Sequence, residues 1–217
     1  MNKSQLDDYY HLLRELCISD DIVQKEAVAG ITSHLTGTGG DYNGLLRFSS
    51  FYITKYILSG AIELIGKSLG PKLEFSRVVE LGAGFCALGR GIAEACGHLP
   101  ALFVDKRHWT LIDIVADIET KNGVKRVLDE MRNGDFVVMS ELLHCLDDPK
   151  KTLEPFREWP MLVVEYKPLR DDYKLSYNTQ IKKFGCQPVG DIHDVFPNME
   201  IIQGSTYTHG IWLVLPR

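Results

Sequence analysis

Histidine carries the side chain best matched to proton transfer near neutrality, and His144 is one of seven in the chain. It stands in Leu143-His144-Cys145-Leu146-Asp147-Asp148, directly after the apolar run Asp135-Phe136-Val137-Val138-Met139-Ser140. An unperturbed imidazole titrates near ~6.5, which suits a general base at neutral pH. Upstream, Glu80-Leu81-Gly82-Ala83-Gly84 sets a carboxylate and two glycines at the end of the run Val78-Val79. Glycine in such a turn lets the backbone come close to a bound molecule, because no Cβ stands in the way. Apolar residues at helical spacing follow through Gly91, and the start of that helix offers unpaired N–H groups. This is a nucleotide-type binding turn. Asp105 ends the next apolar run, Ala101-Leu102-Phe103-Val104, and Asp117 closes another, Leu111 to Ala116.

The elements that must position these residues alternate between two periods. Short apolar runs over 78–81, 101–105, 111–118, 135–140 and 161–166 read as buried strands. Between them, helical patterns are expected after Gly84, from Val124 to Met131, from Asp148-Pro149 to about Trp159, and from Ser176 to Phe184. Strands alternating with helices imply a parallel sheet with helices on both faces. The last two strands, near Glu200-Ile201-Ile202 and Gly210 to Leu215, have no helix between them. So short a connection suits only an antiparallel pair. The expected fold is α/β: a seven-stranded, mostly parallel sheet with one antiparallel strand near the C-terminus and helices on both faces. An N-terminal helical extension precedes it.

Residues 1–36 read as two amphipathic helices. Gly37 to Gly44 reads as a connector or lid; no strand precedes it and no Lys-Ser/Thr closes it, as a phosphate loop requires. Ser49 or Ser50 caps a helix that runs to about Leu69, where Gly70-Pro71 stops it. The expected division is a helical cap over 1–70 and a nucleotide-binding domain over 71–217. Tyr52 and Tyr56, on that helix, are candidates to cover a ligand held by the glycine turn.

Composition narrows the function classes. The chain has 217 residues, 45% hydrophobic and 24% charged, which suits a globular chain with a real core. The net charge of −5 and the lack of Lys/Arg runs weigh against nucleic acid as substrate. Five scattered cysteines (Cys17, Cys86, Cys96, Cys145, Cys186) form no C-x-x-C pair, so no zinc ribbon or redox motif is expected. They read as reduced thiols of a cytoplasmic protein. The polar, acidic start is unlike a signal peptide, and no apolar run reaches ~18 residues. No two histidines stand at i, i+4, so no metal site is expected. His193 and His209, in the turn-rich C-terminal part, read as surface or structural residues.

Gly82-Ala83-Gly84-Phe85-Cys86-Ala87 also fits the dinucleotide fingerprint, with Asp105 at the distance for a ribose hydroxyl. Glu80 argues against it, since its charge would repel a pyrophosphate and attract a cationic cofactor. Val78-Val79-Glu80-Leu81-Gly82-Ala83-Gly84 resembles the first motif of the class I S-adenosylmethionine-dependent methyltransferases. Phe103-Val104-Asp105 is similar to their second motif and Ala116-Asp117-Ile118 to their third. Asp135 to Ser140 is similar to the fourth. The resemblance spans about residues 75–217. It implies S-adenosyl-L-methionine as cofactor, with Glu80, Gly82, Ala83, Gly84 and Phe85 near its methionine and ribose. Asp105, with Lys106 beside it, would accept from the ribose hydroxyls. Asp117 and Ile118 would meet the adenine, and Ser140 and Glu141 would complete the cofactor site. One departure stands out: only about eleven residues separate Asp105 from Asp117, where family members usually insert a helix. That short link resembles some RNA ribose methyltransferases, but their Lys-Asp-Lys-Glu set is missing.

The segment around His144 is similar to the His-x-x-x-Asp segment of small-molecule O-methyltransferases, which implies His144 as general base. In many other members a similar run is only a helix lead-in. Tyr166, at the end of the fifth strand, falls where open α/β sheets place their ligands. The expectation is therefore a methyltransferase acting on a small-molecule acceptor, with no membrane partner. The alternatives are an RNA or protein methyltransferase, a binding protein that keeps the fold without catalysis, and an NAD-dependent oxidoreductase.

Overall fold

In a computed structural model, residues 57–69, 75–84, 87–108, 112–166, 190–205 and 209–217 are described. The expected helices within 1–36 and 176–184, the glycine-rich loop, Tyr52, Tyr56 and Phe85 lie outside them. For Tyr166 the backbone alone is described.

The chain order is α1 (Leu58–Leu69), β1 (Arg77–Leu81), α2 (Ala87–Ala95), β2 (Ala101–Asp105), β3 (Ile114–Val115), α3 (Lys121–Leu128) and β4 (Asp135–Ser140). A single 3-10 turn at Leu143–Cys145 leads to α4 (Pro149–Leu153). A second 3-10 turn, Glu154–Phe156, precedes β5 (Met161–Tyr166). Then come α5 (Ile192–Val195), β6 (Glu200–Ser205) and β7 (His209–Leu215). The strands form one seven-stranded sheet in the order β3-β2-β1-β4-β5-β7-β6. β7 runs antiparallel to β5 and to β6, and the other pairings are parallel.

The alternation of side chains along each strand splits the core in two. Val78, Phe136, Val138, Leu162, Val164, Ile211 and Leu213 face α1 and α2, where Ile57, Ala61, Ile65, Leu88 and Ile92 meet them. Val79, Leu81, Val137, Met139, Met161 and Val163 form the other face, with Val127, Leu153, Phe156, Ile192 and Phe196. Burying each such side chain contributes about 1.5–3 kcal/mol, which makes the central strands the firmest part of the molecule. The last turns of the N-terminal helical segment thus pack on the sheet itself.

Three expected elements differ in extent. The third strand pairs over Ile114–Val115 only, not over 111–118. Asp117 and Ile118 instead enter a turn that caps α3. The Thr120 side chain accepts from Gly123 N–H at 3.0 Å, so α3 starts at Lys121 and ends at Leu128 rather than spanning 124–131. A Ser/Thr cap at that position satisfies an otherwise unpaired helix donor. The helix after Asp148 ends at Leu153, where Pro155 falls inside the next turn and cannot donate an N–H.

Candidate functional site

The strand order reverses between β1 and β4, so the connections that leave their carboxyl ends diverge and open a crevice. Gly82, Asp105 and Ser140, among the expected cofactor residues, stand at or just past the carboxyl ends of β1, β2 and β4. Gly82 and Gly84 have positive φ of 66° and 50°, which explains glycine there. A Cβ on Gly82 would also lie 2.5 Å from Leu142 Cδ1, so the turn rests on the segment leaving β4. Ala83 N–H donates to the Val104 carbonyl at 3.0 Å. Gly84 N–H donates to Asp105 Oδ2 at 3.0 Å, and Arg107 N–H to Oδ1 at 2.8 Å. A carboxylate has about four acceptor positions, so Asp105 keeps one on each oxygen for hydroxyl donors. Lys106 is exposed beside it.

Glu80 is buried, with 2% of its surface exposed, and lies under the first turns of α2. A Cβ on Gly89 would stand 2.8 Å from Glu80 Oε2, so glycine is required to seat the carboxyl. Burial pushes its pKa from 4.5 up to about 8; the Gly89 backbone opposes the rise, Asp105 adds to it and Arg90 reduces it. Among the described residues, Oε2 has no hydrogen-bond partner. Neither does the buried Oγ of Ser140, two residues beyond Val138, the partner of Glu80 across the β1–β4 pair. Buried polar atoms of this kind are ones that a polar ligand could satisfy.

Asp117 is half-buried, and its Oδ1 accepts from Glu119 N–H at 3.0 Å. Ile118 is buried in the core. Glu119 Oε1 accepts from Asp147 N–H at 2.7 Å, which ties the loop after β3 to the segment that carries His144.

His144 lies on the 3-10 turn after β4, and its Nδ1 is 2.8 Å from Oε2 of Glu165. Glu165 sits in the otherwise apolar β5 and is 1% exposed. Burial works against a charged His144 ring. The charge of Glu165, its hydrogen bond and a contact with Cys145 override that and push the pKa from 6.5 up to about 11. Burial raises the Glu165 carboxyl while His144 holds it down. Both groups are thus held toward their protonated forms, with the Nδ1–Oε2 contact joining them.

Glu141 Oε1 lies 3.0 Å from Nε2 of His209. His209 is completely buried, while His193 is exposed. Sequence reasoning named no partner for His144 or for Glu141. The signal for the first was available: an acid in the buried run Met161-Leu162-Val163-Val164-Glu165 requires a counter-charge. Among the described residues, no group of three metal-ligating side chains forms, and no helix is long and apolar enough to cross a membrane.

No protein-family model matches the chain, and none of the curated proteins compared with it matches in sequence. Solved structures do match in shape. The CurJ carbon methyltransferase aligns with a TM-score of 0.62 at 13% identity, over 95% of this chain and 70% of its own. Human N-acetylserotonin methyltransferase, solved with S-adenosylmethionine, aligns with a TM-score of 0.55 at 14% identity. That match covers 80% of this chain, which spans only 55% of the human enzyme. The pyocyanin biosynthetic protein PhzM aligns at 0.50 and 15% identity, over 88% of this chain and 68% of its own. With the strand order and the single reversed strand, these matches make the architecture of this chain that of the class I S-adenosylmethionine-dependent methyltransferases.

Proposed function

We propose that this chain is a methyltransferase that binds S-adenosyl-L-methionine and transfers its methyl group to a small-molecule acceptor. The observation that carries this reading is the buried Glu80 carboxyl, with an orphaned oxygen, beneath a glycine turn at the β1–β4 crevice. A cation beside it restores its charge favourably, whereas a pyrophosphate adds like charge. The NAD reading is the weaker one for that reason.

Gly82 and Gly84 would admit the methionine and ribose part, with Ala83 and Phe85 flanking it. Asp105 would accept from the ribose hydroxyls, with Lys106 beside them. Asp117 and Ile118 would border the adenine. Ser140 Oγ would supply one more hydrogen bond, with Glu141 next to it. The bound cofactor supplies an electrophilic methyl on a sulfonium. What remains for the protein is to orient the acceptor, exclude water and accept a proton. His144 is our candidate for that proton, with Glu165 holding the ring through Nδ1 and stabilising its charged form. Tyr52, Tyr56 and Tyr166 are candidates to line the acceptor pocket, under a cap formed by residues 1–70. Two of the solved neighbours are named for small molecules, N-acetylserotonin and pyocyanin, which favours that acceptor class over RNA or protein.

Calorimetry tests the core of the reading. Binding of S-adenosylmethionine, without comparable binding of NAD, is expected. Glu80→Ala and Asp105→Ala should each weaken it about tenfold or more, the equivalent of one charge-assisted hydrogen bond. Tight NAD binding with no S-adenosylmethionine binding would sink the proposal. A protein that holds the cofactor but forms no S-adenosylhomocysteine with any acceptor would be a binder only.

A further inference from the structure

The proposed chemistry uses His144 and Glu165 but leaves a second acid–imidazole pair beside them. Glu141 and the fully buried His209 meet at 3.0 Å. Glu141 also has a φ of +53°, a left-handed backbone that costs a non-glycine residue about 1 kcal/mol or more. Such a conformation persists only where its surroundings impose it. Here its N–H donates to the Val164 carbonyl at 2.8 Å, and its own carbonyl lies 3.8 Å from the Cys145 thiol. The side chain is anchored on His209.

This turn decides where His144 goes. It takes the chain out of β4 and into the 3-10 turn Leu143–Cys145, whose middle residue sets its ring on Glu165. The sheet supplies the other half. β5 and β7 pair Glu165 with Gly210 and Tyr166 with His209, so His209 stands one register position from Glu165, on the opposite face of the sheet, at the same strand end. Among the described residues, the titratable groups whose charges act on Glu165 are His144, Glu141 and His209. Glu165 and Cys145 act on His144.

We propose that Glu141 and His209 are positioning residues for His144: their hydrogen bond locks the left-handed turn that seats the imidazole on Glu165. The functional weight of this rests on the reading of His144 as the proton acceptor. Losing the lock frees the turn to relax, and the ring moves off Glu165 and becomes an ordinary histidine.

The test is an NMR titration of histidine-labelled protein, with the His144 signal assigned by its loss in His144→Gln. In the wild type, His144 is expected to titrate well above 6.5. In His209→Leu its midpoint should fall by at least about one pH unit, since a unit corresponds to one strong charge contact. His209→Gln keeps a donor toward Glu141 and should restore most of the shift. An unmoved midpoint in a His209→Leu protein with a native near-UV spectrum overturns the proposal. So does a His209→Gln midpoint that falls as far as that of His209→Leu. If His209→Leu does not fold, Glu141→Ala removes the same bond from the less buried side, with Glu141→Gln as its rescue and the same criteria. Calorimetry of the wild type with S-adenosylhomocysteine separates the two ideas. Absence of binding overturns the methyltransferase reading, whereas an unmoved His144 overturns the lock.

Discussion

At the scale of single residues, the His144–Glu165 pair is the most consequential feature. Two ionisable groups this buried are costly to desolvate when charged, and their 2.8 Å contact is what offsets that cost. The same pairing makes His144 a stronger but scarcer base. With its pKa at about 11, the base form grows tenfold per pH unit through neutrality. The turnover of wild-type enzyme should therefore rise with near-unit slope from about pH 7 to 10. Glu165→Gln should bring the plateau down toward ~6.5 and lower its height. A flat profile from pH 7 to 9 in the wild type would remove His144 from proton transfer. Glu80 gives a stability prediction. Its folded pKa of about 8 lies above its ordinary 4.5, so its favourable contribution is complete below 4.5 and is lost as pH rises to 8. Within that window the loss is about 1.4 kcal/mol per pH unit. Glu80→Gln should flatten this part of the urea-stability profile measured between pH 5 and 8. His144 acts in the same direction over a higher window, from about 6.5 to 11.

At the scale of elements, the cap of α3 is the critical junction, because it holds Asp117. Thr120 Oγ1 donates to the Asp117 carbonyl at 2.8 Å and accepts from Gly123 N–H at 3.0 Å. A Cβ on Gly123 would stand 1.9 Å from that carbonyl oxygen, an overlap with backbone that no rotamer relieves. Thr120→Ala should cost about 1 kcal/mol, the usual value for a lost cap. Gly123→Ala should cost more, about 1–3 kcal/mol for overpacking, and should also weaken cofactor binding by displacing Asp117. Urea denaturation of both variants checks the order. Equal stability of Gly123→Ala and the wild type would show that Asp117 is not held by this contact. A second junction lies at the opposite end of the sheet, where Arg77 binds both oxygens of the buried Asp135, at 2.9 and 2.6 Å. It fixes the register of β1 against β4, and with it the level of Glu80 relative to Ser140.

At the scale of the whole molecule, the sheet brings residues far apart in the chain to one rim. Gly82 rests on Leu142, Gly84 on Asp105 and Glu119 on Asp147. A ligand that bridges these loops should stabilise the folded chain as a unit. At a hundred times its dissociation constant, S-adenosylhomocysteine should add about 2.7 kcal/mol. For a chain of this size that is a rise in melting temperature of roughly 5–10 °C. No rise at saturating ligand would count against the cofactor assignment.

Much of this was legible before any coordinates. Strand identity follows from short apolar runs, because burial on two faces demands them locally. The glycine turn follows from residues that alone tolerate its backbone, and the reversed last strand from a connection too short to cross over. The boundaries of β3 and α3 were not legible, because Thr120 captures its helix start through a bond to Asp117 that no periodicity records. The side-chain pairs were hidden for a stronger reason. His144 meets Glu165 across 21 positions and Glu141 meets His209 across 68. Such partners are chosen by strand order and register, which are properties of the assembled sheet. The sequence by itself determined that a nucleotide-type turn and an imidazole would share one rim. Only the tertiary structure decided which acids those imidazoles would face, because a buried charge takes whichever counter-charge the packed strands deliver to it.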